Sequence, residues 1–207
     1  GSAGGAYVYH LWTQSDELLR GVVQQKLGEQ LPGWDFRFAR CRFDLTGRIR
    51  LYDVELFISD DEPPLAVVPE IVLTVDRTQI ASGNPTLRHI RFIRPKLLAA
   101  RDADGQWNFQ KLPPVPMVPE AVPEMQVDDG VITAERHDIE PVASVSIAAI
   151  SARIVPAARR DVNYEVTARP PHAESVSVNG HVHLDGKTWS VTTSLQRLDC
   201  GAGLLEL

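Results

Sequence analysis

A mainly β protein is predicted, a curved antiparallel sheet forming either a groove or an open-barrel-like meander, with one N-terminal amphipathic helix. Three observations predict it. After Gly33, apolar and polar residues alternate with a period of two in segment after segment. Short turns rich in Gly, Asp and Pro separate those segments. Only the stretch before Gly33 repeats its apolar residues at spacings of three and four.

Residues 1–6 read as a cloning remnant. Residues 7–32 read as the helix: Leu11, Leu18, Leu19, Val22, Val23 and Leu27 share a face, Asp16 and Glu17 lie early, and Gly28 and Pro32 mark the end. It serves either as the stem of a membrane anchor or as a cap on the apolar end of the sheet.

A first β unit spans 33–112. Trp34–Asp44 and Arg48–Ser59 flank a hairpin-like turn, and in the second of them Tyr52, Val54, Leu56 and Ile58 are expected on one face. Leu65–Asp76 follows with Ile71, Leu73 and Val75 on one face. In Thr86–Arg94, Ile90 and Phe92 alternate with His89 and Arg91, and Pro95–Arg101 then runs into the turn Asp102-Ala-Asp-Gly105.

Residues 113–123 hold five prolines, so they form a stiff connector rather than a central strand or helix. A second β unit, 124–207, continues the sheet and reads as truncated at its C-terminus. Its strands are Glu124–Glu135, Ile139–Val155, Val162–Arg169, Glu174–Leu184 and Lys187–Arg197. Val176, Val178, Val182 and Leu184 face one way and Ser177, Asn179, His181 and His183 the other; Val191 and Leu195 continue the apolar row after Trp189. Short turns between successive strands predict antiparallel meanders.

A hydrophobic content of 43% excludes a disordered chain. The net charge of -6 argues against nucleic acid as a partner. Arginines such as those of Arg37-Phe-Ala-Arg40-Cys-Arg42 read as the wet face of a sheet. No apolar run approaches the roughly 18 residues needed to cross a bilayer. Cys41 and Cys200 lack the spacing of a metal or redox motif, and whether they pair is left open.

No catalytic motif is present, so no enzyme activity, cofactor or metal is expected. Asp102–Asn108 lacks the further oxygen ligands of a calcium loop and reads as a turn with Gly105 at positive φ. His181 and His183 read as a solvated face rather than a metal pair. The cations Arg88, Arg91, Arg94, Lys96, Arg159 and Arg160 read as ordinary surface charge, or as contacts to phosphate headgroups.

If nothing covers the apolar face of such a sheet, it forms a trough suited to acyl chains; if a second layer does, it is a closed core. Candidate lining residues are Val54, Leu56, Ile71, Leu73, Val75, Ile90, Phe92, Val176, Val178, Val182, Leu184, Val191 and Leu195.

The stretch Ile90-Arg-Phe-Ile-Arg-Pro95-Lys-Leu-Leu-Ala-Ala-Arg-Asp102-Ala-Asp-Gly105-Gln-Trp107-Asn108-Phe109 resembles the signature region of AsmA-like proteins. There a strand ends at proline, a second runs to Asp-x-Asp-Gly, and Trp-Asn follows. Gly47-Arg-Ile-Arg-Leu-Tyr-Asp-Val-Glu-Leu56, Pro69-Glu-Ile71 and Met125-Gln-Val-Asp-Asp-Gly-Val-Ile132 keep the same order. The resemblance implies the N-terminal periplasmic region of an AsmA/TamB-type envelope protein related to bridge-like lipid-transfer proteins. It implies a removed anchor in the inner membrane and phospholipid, or another acyl-chain lipid, as partner. The alternative is an interaction module in outer-membrane assembly that docks envelope proteins and binds no lipid.

Overall fold

The computed structural model describes residues 20–21, 23–25, 34–44, 46–58, 62–76, 87–112, 123–157, 161–183 and 188–198. It is mainly β, as expected. Ten strands form one sheet: β1 (Asp35–Phe43), β2 (Arg48–Phe57), β3 (Ala66–Val75), β4 (Leu87–Ile93), β5 (Lys96–Arg101), β6 (Glu124–Arg136), β7 (Ala143–Pro156), β8 (Asp161–Arg169), β9 (Ala173–His183) and β10 (Trp189–Leu198). Their order is β1-β2-β3-β4-β6-β7-β8-β9-β10, with β5 between β3 and β6 beyond the end of β4. Within the expected helix 7–32, only residues 20, 21 and 23–25 are described, and these are helical. Most of the Pro-rich connector, and Leu184, Cys200, Arg159 and Arg160, lie outside the described residues.

One junction departs from the expected meander. The β4–β6 and β5–β6 pairs are parallel, whereas the other strand pairs are antiparallel. A parallel neighbour needs a long crossover, and the chain from Asp102 to Pro123 supplies it. The Pro-rich stretch therefore belongs to a crossover within one sheet, with β6 hydrogen-bonded to strands that precede it.

The turn after β5 explains its sequence. Asp102 Oδ1 accepts the N–H groups of Asp104 (3.1 Å) and Gln106 (2.9 Å), and Gly105 takes φ +80°. Arg101 Nε donates to the Gly105 carbonyl at 2.9 Å. A 3₁₀ turn, Asn108–Lys111, then folds back on β5. Asn108 Nδ2 donates to the Leu98 carbonyl (2.8 Å) and its Oδ1 accepts the Ala100 N–H (3.1 Å). One side-chain amide thus satisfies the strand edge where β3 no longer pairs with β5.

A crease crosses the sheet. Buried or apolar positions change phase in successive strands: Phe38 to Cys41 in β1, Leu51 to Val54 in β2, Val68 to Ile71 in β3. At the same level β4 gives way to β5 at Arg94-Pro95, and β6 and β7 shift register near Asp129 and Ala149. Asp53, Arg94, Asp129 and Ala149 all take φ between +51° and +54°. Such a residue turns the following side chains over, and in β6 and β7, where the register also shifts, it belongs to a bulge that bends the strand. Without it, strict alternation would send half of each strand's apolar residues to the opposite face. Tyr52 is the correction this forces. It was expected beside Val54, but it pairs with Arg40 and Glu70 and holds the Arg40 guanidinium 5.2 Å from its ring, while Leu51 and Val54 are buried.

At the β1–β2 turn, Asp44 Oδ1 accepts the N–H groups of Thr46 (2.9 Å) and Arg48 (3.1 Å). Partial burial pushes this carboxyl up. The hydrogen bonds from Thr46 and Arg48, with the Arg48 charge, outweigh that effect and leave its pKa below the ordinary value.

Two predictions follow from these turns and bulges. Ala149→Gly should stabilise the protein by about 0.5–1 kcal/mol in urea unfolding, because a left-handed alanine costs more than the extra glycine entropy. Ala149→Val should destabilise it. Asp44→Ala should cost about 1 kcal/mol at neutral pH. Because the folded carboxyl is the stronger acid, its contribution is full above the unfolded value near 3.8 and fades as pH drops through the lower folded value. Melting curves of parent and variant should therefore converge below that pH.

Candidate functional site

Side chains opposite one another on neighbouring strands share a face, so the register maps both faces. One row runs Phe43, Ile49, Leu73, Ile90, Met125, Ile154, Tyr164, Gly180, Val191. The next runs Cys41, Leu51, Ile71, Phe92, Val127, Ala152, Val166, Val178, Thr193. Beyond the crease a third runs Phe36, Leu56, Ala66, Leu97, Ile132, Ile147. The face is largely apolar across the sheet, with Thr193 the polar member at the β10 edge.

The opposite face is polar. The row between the first two reads Arg42, Arg50, Val72, Arg91, Gln126, Arg153, Glu165, Asn179, Thr192. Ion pairs link strands across it: Arg50–Glu70 and Arg88–Asp76 at 2.6 Å, Arg153–Glu124 at 2.8 Å, and Arg91–Asp128. The hydrogen bond that Arg50 donates to the Glu70 carboxylate holds the guanidinium more firmly protonated. Two of the cations expected to face headgroups, Arg88 and Arg91, are thus engaged by carboxylates, while Arg94 and Lys96 are exposed. His181 Nδ1 contacts Ser190 Oγ at 2.8 Å, and His183 Nδ1 contacts Asp161 Oδ1 at 2.6 Å, so the two histidines engage different partners. At the far end of β6, the hydrogen bonds from Arg136, with the nearby Arg101 charge, hold Asp138 below the ordinary carboxylate range.

The structure divides the candidate lining residues into two groups. Val54, Ile71 and Leu73 are buried in one cluster with Phe38, Cys41, Ile49, Leu51 and Val68, and Val23 of the helical segment is buried with them. Val75, Ile90 and Phe92 pack against that cluster, and Arg20 lies 5.6 Å from the Phe38 ring centre. Leu51 retains 2% exposure. Over β1–β4 the apolar face is therefore closed core, and these residues are not an open lining. Leu56 is half-buried in the same sheet.

Over β8–β10 the same face becomes progressively exposed: Val162 and Ala168 of β8 are buried, and exposure rises through β9 to β10. Val176, Val178 and Val182 are half-buried, Val191 and Leu195 are 47% and 49% exposed, and Trp189 is 67% exposed. The register also places Met125, Val127, Ile154, Tyr164 and Val166 on this face, none of which had been singled out. Their signal was present as alternation in β6 and β8, but the bulge at Asp129 and the alanines of β7 obscure it.

Gly180 has a specific role in the open part. A Cβ there would lie 2.0 Å from the Ser190 carbonyl oxygen and 2.7 Å from the Tyr164 hydroxyl. The missing side chain lets Tyr164 reach across β9, where its hydroxyl donates to the Ser190 carbonyl at 3.0 Å. The ring covers the glycine and ties β8 to β10.

Among the described residues no helix is long and apolar enough to cross a membrane, and no group of three or more His, Cys, Asp or Glu side chains is placed to hold a metal ion. Compared with known proteins, the sequence matches no family model and no curated protein.

Gly180→Ala should destabilise the protein by about 1–3 kcal/mol, as overpacking does, and should loosen β10 first in amide hydrogen exchange. Tyr164→Phe, which removes one hydrogen bond and keeps the ring, should cost about 1 kcal/mol.

Proposed function

We propose that this chain is the periplasmic portion of an AsmA-like envelope protein that binds or conducts phospholipid along an apolar β-trough between inner and outer membranes. The observation that carries the reading is the apolar face that grows exposed through β9 to β10, continuous by register with the closed core over β1–β4. Water on such a surface is costly, and each methylene of an acyl chain laid on it contributes about 0.8 kcal/mol. The opposite face is charged and cross-linked by ion pairs, so only one side suits a hydrocarbon. Tail contacts are non-directional, and headgroups would stay in water at the rim. Selectivity among diacyl lipids should accordingly be low. The strand–proline–strand–Asp-x-Asp-Gly–Trp-Asn order supports the AsmA-like assignment. Its Asn108 and Asp102 side chains are used to finish the edge of β5.

Purified protein incubated with phosphatidylglycerol and phosphatidylethanolamine vesicles, then separated and examined by native mass spectrometry, should carry phospholipid. The double substitution Val191→Asp/Leu195→Asp changes two exposed residues of the apolar face and should abolish lipid capture with the circular dichroism spectrum retained. Thr192→Asp, on the polar face, should leave capture intact. Protein that emerges lipid-free at all lipid concentrations would overturn the proposal and favour a docking module.

A further inference from the structure

The two edges of the sheet are built differently. β1 carries Asp35, Arg37, Arg40 and Arg42 among its nine residues, the kind of charge by which edge strands resist pairing. In β10, residues Trp189–Gln196 carry no charge, and Arg197 is bonded to Glu174 of β9 at 2.9 Å. The direction of the β10 backbone can be read from its first contacts. The Thr188 carbonyl accepts the His183 N–H of β9 at 2.9 Å, and the Ser190 carbonyl is turned towards Gly180 of β9. With a period of two, Thr192, Ser194 and Gln196 also turn their backbone groups to β9. Val191, Thr193 and Leu195 direct theirs to the edge that no described strand covers.

We infer that β10 pairs antiparallel with β10 of a second copy of this chain about a two-fold axis through Thr193. The strand is self-complementary in that register. Val191 meets the second copy's Leu195 on the apolar face, Thr192 meets Ser194 and Ser190 meets Gln196 on the polar face, and Thr193 meets itself. No like charges oppose each other between residues 190 and 196. The outward N–H and C=O groups of Val191, Thr193 and Leu195 all find partners. The free stretch is bounded by Trp189 on one side and by Arg197, at φ +49°, on the other, so a register centred on Thr193 uses all of it. The pairing joins two apolar faces into one on the same side of an extended sheet. It rests on edge chemistry and holds whether or not lipid binds.

Sedimentation equilibrium of the whole chain tests this. The parent should move from one to two chains in mass as concentration rises. Thr192→Lys/Ser194→Lys places like charges opposite one another while leaving the apolar face and the β9 hydrogen bonds unchanged. It should weaken association at least about tenfold, a change of about 1.4 kcal/mol. Thr192→Glu/Ser194→Glu should do the same, and an equimolar mixture of the two variants at low salt should restore the two-chain species. Ala39→Lys at the β1 edge should have no effect. A parent that stays at one chain, a dimer indifferent to the lysine pair, or a mixture that fails to reassociate would each overturn the inference. Vesicle capture by the lysine pair reports separately on the lipid reading, because Val191 and Leu195 are retained.

Discussion

Keeping most of its apolar residues on one side of a ten-strand sheet is the constraint on which this structure depends. Backbone pairing is indifferent to side chains, but burial is not. A strand that slips by one residue exposes its whole apolar set. Here the apolar phase itself changes partway along the strands, so the backbone has to turn over where the phase changes. It does so at one level of the sheet, at Asp53 of β2, Arg94 between β4 and β5, Asp129 of β6 and Ala149 of β7. A non-glycine residue at positive φ costs on the order of 1–2 kcal/mol, whereas sending a Leu or Val to the wrong face forfeits about 1.5–3 kcal/mol each. Several apolar residues are rescued per such residue, so the crease is favoured in each strand that carries one.

The same face then has two outcomes, and the difference lies in what covers it. Over β1–β4 the aromatic and aliphatic residues are large, and Val23 of the helical segment sits among them. The result is an interior from which Leu51 and Cys41 lose almost all contact with water. Over β7–β10 the residues are smaller and more mixed: alanines in β7, valines in β8 and β9, and Thr193 opposite Val178 in β10. No described element lies over them. Gly180 and Tyr164 show how this half is held without a second layer, since an aromatic ring laid across a glycine buries its own surface while bonding the neighbouring strand.

Much of this was legible in the sequence. The strand positions follow from alternation and turn residues, and the bounds of β2, β4, β6 and β9 differ from the sequence reading by a few residues or fewer. The polar turn at Asp102 and the positive φ of Gly105 follow from side-chain chemistry alone. Two features were not legible. The crease hides inside strands whose apolar spacing of three, as in Leu51-Tyr-Asp-Val54, resembles noise in a period of two; Tyr52 was misplaced for that reason. The parallel β4–β6 junction depends on where the chain returns after Lys111, which a local pattern does not encode. The candidate site was legible as a face, with open trough and closed core left as alternatives, because alternation reports which side is apolar and says nothing about what lies on top of it.

The polar face answers a different demand. A sheet with one greasy side must keep its other side from stacking on copies of itself. Arg50–Glu70, Arg153–Glu124 and Arg91–Asp128 place both signs of charge in close alternation on that side. Individually such half-exposed pairs contribute little to stability, from nothing to about 1 kcal/mol. Their value is positional. They fix strand register on the wet side, leave few bare charges in the middle of the sheet, and make burial of that face costly. Association is thereby directed away from the polar face and away from the arginine-rich β1 edge. Among the described residues, what remains exposed for an apolar or strand-forming partner is the apolar face at β9–β10 and the uncharged β10 edge that borders it.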